Sequence, residues 1–122
     1  MDFFLDTYAM IEIVRGNKNY EPYLDKIFIT TKYNLAELHY FLLNNFSLGV
    51  ADSYLRKFSA YAIDFDVDVI SRAMVFRKDL RSKKYKISYI DCLGYMVAML
   101  NNVRFLTGDH HFKELPNVEF VK

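Results

Sequence analysis

Four carboxylates stand where this chain could do chemistry, each beside the predicted start of a helix. They are Asp6, Glu37, Asp91 and Asp109. Taken singly, each could simply cap a helix or interact with its positive end, a contribution of about 1 kcal/mol. Two carboxylates about 4 Å apart repel by roughly 4 kcal/mol at an effective dielectric near 20, so capping alone cannot hold a converged set ionised. A converged set must therefore take up protons or bind a hard cation such as Mg²⁺ or Mn²⁺.

The chemistry that such a site would support is hydrolysis. A divalent cation held by carboxylates can activate water for attack on a phosphodiester and stabilise the leaving oxygen. The sequence has no Gly-rich phosphate loop and no GxSxG motif, and its three histidines offer no serine triad. The four acids are therefore the candidate catalytic and metal-binding residues.

The elements that must position these acids alternate between strands and helices. Helical spacing of apolar residues predicts helices in TYAMIEIVRGN, YEPYLDKI, NLAELHYFLLNNF, VADSYLRKFSAY, VISRAMVFRKDLRSKK and SYIDCLGYMVAMLNN. Short apolar or alternating runs predict strands in FFL, IFIT, AIDFDV and VRFLT, with VEFV as a possible fifth. This order favours an α/β fold with a mostly parallel sheet and helices on both faces.

Sites in such sheets lie beyond the carboxyl ends of the strands. Asp6 follows FFL and Asp109 follows VRFLT, so the two acids would be close if these strands are neighbours. NLAE and SYID look like capping boxes, which makes Asn34 and Ser88 the expected N-caps of the helices that carry Glu37 and Asp91. A converged site and a set of helix caps both remain open at this point.

Composition narrows the class of protein. A chain of 122 residues with 52% apolar content predicts a single domain, 1–122, with a sizeable core. The formal net charge of +1 does not indicate any class of partner. The lone cysteine, Cys92, excludes an internal disulfide, and the acidic start MDFFLD does not resemble a signal peptide. The longest apolar run is too short to span a bilayer, so we expect a cytoplasmic protein with no membrane association.

Basic residues cluster between residues 72 and 86. Arg77, Arg81 and Lys84 are spaced to share one helix face. This face could be an ordinary solvated surface, or it could be a phosphate track that binds substrate beside Asp91. Similarly, His110 could be plain loop surface or touch a phosphate, as could His111.

Four segments together resemble PIN-domain ribonucleases of the VapC toxin type, which occur in toxin–antitoxin pairs. FLDTYAMIEIVRGN is similar to the opening motif of that family, with a strand, then Asp-Thr, then a helix ending in Gly-Asn. NLAELHYFLL is similar to the second motif, with its acid at Glu37, and ISYIDCLGYMVAM to the third, with Asp91. FLTGDHHF is similar to the fourth motif, in which Thr107 and Phe112 flank Asp109.

The resemblance covers essentially the whole chain and carries its own expectations. It implies a five-stranded parallel sheet sandwiched by helices, Mg²⁺- or Mn²⁺-dependent cleavage of RNA, a homodimer, and a cognate antitoxin protein that covers the site. It also implies that Asp6, Glu37 and Asp91 bind metal directly or through water, with Asp109 as the more variable fourth acid. Thr7 and Thr107 would be the hydroxyls that orient these carboxylates.

Two other functions compete with the ribonuclease. A phospho-receiver module has a similar length and α/β alternation, and DFD could supply its phosphoacceptor. A receiver, however, needs paired acids after its first strand and a late lysine, whereas Asp6 stands alone before Thr7 and FLTGD has no lysine. A PIN fold that only binds, with a dead site, is the other alternative, although all four acids are present.

Overall fold

Parallel strands form the centre of the molecule. The computed structural model describes residues 1–83 and 86–122, with the backbone alone of residue 82. Its strands are β1 (Phe3–Leu5), β2 (Phe28–Ile29), β3 (Arg104–Thr107) and β4 (Val118–Phe120). They pair in the order β2-β1-β3-β4, and every pairing is parallel. The predicted α/β class is confirmed, and β1 and β3 are neighbours, as convergence of Asp6 and Asp109 requires.

Five α-helices connect and cover these strands. They are α1 (Thr7–Val14), α2 (Lys32–Asn45), α3 (Leu48–Ser59), α4 (Val67–Ser82) and α5 (Tyr89–Leu100). Short 3-10 helices span Lys18–Tyr23, where a helix was predicted around YEPYLDKI, and His110–Phe112. None of the helices in the described part of the chain is long and apolar enough to cross a membrane.

The predicted strand AIDFDV does not form, so the described residues contain four strands instead of the expected five. Its backbone makes one parallel bridge, between Ala62 and Thr30. Ile63 and Phe65 do pack against the core while Asp64 and Asp66 face solvent, which is the burial pattern that the alternation predicted. The extended segment nevertheless ends almost at once, because α4 begins at Val67.

Successive residues of the central strands serve opposite faces of the sheet. Phe4 and Phe105 pack with α4 and α5 on one face, where their rings stack at 5.5 Å. Leu5 and Leu106 pack with α1, α2 and α3 on the other face. Helices on both faces are therefore confirmed, and the two aligned strands β1 and β3 are anchored from both sides.

Local capping agrees with the sequence at α5 but not at α2. The Ser88 hydroxyl accepts from the Asp91 N–H at 3.1 Å, which confirms that capping box. The cap of α2 is Thr31, whose hydroxyl accepts from the Asn34 N–H, so the prediction of Asn34 as N-cap was wrong. Asn34 instead lies within the first turn of α2 and is fully buried. Gly16 follows α1 with φ +74°, the left-handed conformation expected just after a helix end.

Candidate active site

The four predicted acids line one cleft at the carboxyl ends of the strands. Asp6 follows β1, Asp109 lies two residues after β3, and helices α2 and α5 contribute Glu37 and Asp91. The cleft has a volume of about 530 Å³ and borders all four carboxylates. The fold therefore brings together residues that are more than 100 positions apart in the chain, at the place that a parallel sheet predicts.

Asp6 is the deepest of the four acids. Its side chain is only 2% exposed, and it caps α1 by accepting from the Ala9 N–H at 2.8 Å. Burial raises its pKa to about 8, and the nearby charges of Asp91 and Asp109 add to this effect. Hydrogen bonds from Thr107 and Ala9 act in the opposite direction. Asp6 is thus both a helix cap and a carboxylate that lacks sufficient neutralising charge.

Asp91 shares this electrostatic environment. Burial raises its pKa to about 6, and the charges of Glu37 and Asp109 push in the same direction. Hydrogen bonds from the Ser88 hydroxyl and backbone N–H oppose the rise. Since Asp91 interacts with Glu37 and Asp109, and Asp6 with Asp91 and Asp109, the four acids form one interacting group.

Glu37 is held by a chain of hydrogen bonds that starts at the cap of α2. The Thr31 hydroxyl donates to the Asn34 side-chain oxygen at 2.6 Å, and the Asn34 amide donates to the Thr7 hydroxyl at 3.2 Å. Thr7 in turn donates to Glu37 at 2.5 Å. Thr7 therefore contacts one of the four carboxylates, and its role in orienting that carboxylate stays a prediction. Sequence reasoning missed the role of Asn34, although a polar residue on the buried side of α2 was the available signal.

We expect Thr7→Val to destabilise the fold by about 1–3 kcal/mol, because it leaves the buried Asn34 amide and the Glu37 carboxylate without this partner. Urea denaturation should show a lower midpoint with an unchanged slope. Thr7→Ser, which keeps the hydroxyl, is the matched control and should stay close to the original protein. Equal stability of the Val and Ser variants would contradict the proposed hydrogen-bond chain.

Asp109 is fixed by its neighbours in the loop. Its backbone N–H donates to the Thr107 hydroxyl at 3.0 Å, so Thr107 contacts both Asp109 and Asp6. Its Oδ1 accepts from the His111 N–H at 3.0 Å and lies 2.9 Å from His111 Nδ1. His110 Nδ1 lies 4.0 Å from the same oxygen. Asp109 is therefore a cap of the 3-10 helix as well as a wall of the cleft.

The two histidines beside Asp109 extend the set of possible metal ligands. One ligand atom from each of Asp109, His110 and His111 lies within 4.8 Å of the others, the only such trio in residues 1–83 and 86–122. The four carboxylates surround the cleft more widely, which suits a hydrated cation that keeps several waters. Imidazole nitrogen suits a softer transition metal than carboxylate oxygen does.

Gly108 provides the room that this loop needs. A methyl group placed there would collide with the Tyr8 ring and with the backbone carbonyl of Val121. We expect Gly108→Ala to cost about 1–3 kcal/mol of stability, as overpacking of a tight site does. Thermal denaturation against Gly49→Ala, where a methyl group meets only a distant Ser47 side chain, gives the comparison. Similar melting temperatures for the two variants would contradict this reading.

The predicted substrate-binding basic residues are not equivalent. The Arg77 Nε donates to the Ile87 carbonyl at 3.0 Å, and its guanidinium lies 4.2 Å from the centre of the Tyr89 ring. Arg77 therefore braces the segment that leads into α5. Arg81 lies exposed in the last turn of α4, and Lys84 lies outside the described residues. Contact of this face with a phosphate backbone stays a prediction.

The chemistry of the cleft fits a divalent cation. None of the described residues that line the cleft is Lys or Arg, although His111 contacts the Asp109 carboxylate at 2.9 Å. Buried, mutually repelling carboxylates are stabilised either by protons or by a metal ion. Oxygen ligands of this kind are those that Mg²⁺ and Mn²⁺ prefer. Asp6, Glu37, Asp91 and Asp109 are the residues that would hold such an ion.

Comparison with known proteins agrees with this architecture. The VapBC2 complex of Rickettsia felis, bound to a DNA fragment from its promoter, matches with a TM-score of 0.80 and 23% identity over 100% of both chains. A toxin–antitoxin complex from Klebsiella pneumoniae matches with a TM-score of 0.73 and 18% identity over 98% of this chain and 96% of that chain. DNA-bound VapBC from Salmonella typhimurium matches with a TM-score of 0.75 and 16% identity, with the same coverage.

These structural likenesses show a shared fold. No curated protein sequence matches significantly. The family model described as the PIN domain, however, matches residues 3–118, a range that contains all four acids. Its match excludes the receiver module as the class of this domain. The chain belongs to the PIN domain family.

Proposed function

We propose that this protein is a Mg²⁺- or Mn²⁺-dependent endoribonuclease and the toxin of a toxin–antitoxin pair. The observation that carries the proposal is the meeting of Asp6, Glu37, Asp91 and Asp109 around one cleft without a basic residue among its described lining. Their elevated pKa values, at Asp6 and Asp91, reflect burial and mutual repulsion that a bound cation would relieve. Membership of the PIN family supports the same reading.

A divalent cation bound to these carboxylates would supply a water molecule of lowered pKa and neutralise charge on the phosphate. The reaction adds the oxygen of water to phosphorus and breaks one phosphorus–oxygen bond, and the leaving oxygen takes up a proton. Asp6 and Asp91 are the principal ligands in this proposal. Glu37 and Asp109 complete the set, while Thr7 and Thr107 hold the carboxylates in place through the hydrogen bonds described above.

The proposed partners follow from the structural relatives. Two of them are described as VapBC assemblies and one as a toxin–antitoxin complex, which supports a cognate antitoxin for this chain. A homodimer and a cytoplasmic location are part of the same proposal. Co-expression of the protein with the product of an adjacent small gene tests the partnership. Formation of a stable complex that suppresses cleavage is the expected result, and a partner-free protein that leaves growth unchanged would contradict the toxin role.

Incubation of the purified protein with total RNA tests the activity. We expect discrete internal cuts with Mg²⁺ or Mn²⁺, and none after chelation with EDTA. Titration with Mn²⁺ followed by electron paramagnetic resonance should show binding that Asp6→Asn weakens. A protein that binds no Mn²⁺ and leaves RNA intact would instead be a PIN fold that serves only for binding.

A further inference from the structure

The cleft continues beyond the acids along one face of α2. Glu37, Tyr40, Phe41 and Asn44 have the spacing i, i+3, i+4 and i+7, which places them in one row on the helix. All four line the cleft. At about 1.5 Å of rise per residue, the row extends roughly 10 Å from the carboxylate of Glu37 towards the end of the helix. The cleft is thus acidic at one end and aromatic and amide-lined along the rest.

Tyr40 is the unusual member of this row. It is 67% exposed, and it is the one tyrosine among those described that makes no hydrogen bond, ring contact or cation–π contact. The other described tyrosines all have such contacts within the fold, namely Tyr8, Tyr20, Tyr23, Tyr33, Tyr54, Tyr61, Tyr89 and Tyr95. No hydrogen bond, ring contact or cation–π contact within the described residues therefore accounts for the position of Tyr40, which lies three residues from the proposed metal ligand Glu37.

Helix α1 supplies further lining residues of the same cleft. Tyr8 and Ile11 of α1 line it together with the row on α2. Tyr8, Ile11 and Phe41 also border a second depression, which Glu12 and Arg15 line as well. The guanidinium of Arg15 lies 5.3 Å from the centre of the Phe41 ring. The groove formed by the cleft and this depression therefore joins carboxylates, aromatic rings and Arg15, which pairs with Glu12 at 3.8 Å but remains 57% exposed.

We propose that this groove binds one nucleobase of a single-stranded RNA next to the scissile phosphate, with Tyr40 as its stacking surface. The inference rests on the proposed ribonuclease function and adds a base-binding position at Tyr40. Unpaired bases stack on aromatic side chains, and their edges are read by amides such as that of Asn44. Arg15 then meets the next phosphate. The carboxylates repel a phosphate unless a cation is bound between them. The scissile phosphate therefore lies at the cation, and the neighbouring base lies along α2.

Kinetics with a short single-stranded RNA test this subsite. Stacking of one base contributes about 1–3 kcal/mol, so we expect Tyr40→Ala to raise KM by about tenfold with little change in kcat. Tyr40→Phe keeps the ring and should restore KM. Tyr33→Ala is the matched control, because Tyr33 is an exposed tyrosine of the same helix that packs on Phe65 and lies outside the cleft. Equal KM values for the Tyr40→Ala and Tyr33→Ala proteins would overturn the proposal.

A binding measurement separates this subsite from the catalytic proposal. Fluorescence anisotropy of labelled RNA on the Asp91→Asn protein needs no cleavage, and an abasic strand of equal charge lacks the stacking base. Tyr40→Ala should weaken binding of the normal strand about tenfold and leave the abasic strand unchanged. Equal weakening for both strands would overturn the base subsite. If the original protein cleaves no RNA but Tyr40→Ala still weakens binding of the normal strand alone, the catalytic proposal is wrong and the base subsite remains.

Discussion

Asp91→Asn is expected to lower the rate of RNA cleavage by about a thousandfold, equivalent to roughly 4 kcal/mol in the barrier. Asn has nearly the same shape as Asp but carries no charge and is a poor ligand for Mg²⁺ or Mn²⁺. The Ser88 hydroxyl caps α5 through the backbone N–H of residue 91, which the substitution leaves in place. The change in stability should therefore stay near 1 kcal/mol, the usual size of a capping effect.

The contrast between these two magnitudes separates a catalytic role from a structural one. Cleavage assays and urea denaturation on the same preparation provide both numbers. Asp64→Asn removes an exposed acid outside the cleft and should change neither number. Full activity of the Asp91→Asn protein would refute the assignment of this residue, whereas loss of activity in proportion to unfolding would reduce it to a helix cap.

Asp6→Asn is expected to stabilise the metal-free protein at pH 8 while it abolishes cleavage. The pKa of Asp6 rises from its ordinary value of 3.8 to about 8 in the folded protein, so between these pH values the folded state holds a proton that the unfolded state has lost. Stability therefore falls as pH rises through this window, by at most about 1.4 kcal/mol per pH unit for one proton. Asn cannot ionise, and it caps a helix as well as Asp does.

Denaturation in EDTA at several pH values between 4 and 8 measures this effect. The variant should gain on the original protein as pH rises and lose that advantage near pH 4. Asp91→Asn should flatten only the part of the curve below about pH 6, since its pKa is raised to about 6. Saturating Mn²⁺ at one hundred times its dissociation constant should add about 2.7 kcal/mol to the original protein. If the stability of the metal-free protein rose with pH between 4 and 8, the claim that these acids are buried and repel one another would be contradicted.

Both expected effects depend on the strands, on the acids that follow them and on how the strands pair, and only the first two could be predicted from the sequence. The strands FFL and VRFLT and the acids that follow them were recognisable, because apolar runs and helix starts are local patterns. The sequence does not show that the two strands are neighbours, and the pairing of β1 with β3 in the structure establishes it. AIDFDV shows the limit of a local pattern. Its alternation predicted correctly which side chains are buried, but its backbone forms only one bridge, from Ala62 to Thr30, and therefore no strand.

The support of the carboxylates was harder to foresee. Asn34 is followed by Glu37 as in a capping box, which predicted that Asn34 caps α2. The N-cap is instead Thr31, three residues earlier. The amide is consequently free to turn inward and reach Thr7, a contact that depends on how α1 packs on α2. The contacts of Arg77 with the Ile87 carbonyl and the Tyr89 ring were equally hard to foresee, and they leave its predicted phosphate contact untested. Such tertiary partners leave no periodic signal in the sequence.

The origin of the oxygen atom in the cleaved phosphate tests the central claim most directly. Cleavage of RNA in water enriched in ¹⁸O, with Mn²⁺ present, followed by mass spectrometry of the product ends, reports which nucleophile attacked phosphorus. We expect one ¹⁸O in a terminal phosphate and continued cleavage when the 2′-hydroxyl at the cut is replaced by hydrogen. A 2′,3′-cyclic phosphate without ¹⁸O would show attack by the ribose and would contradict hydrolysis by water activated at this acidic cleft.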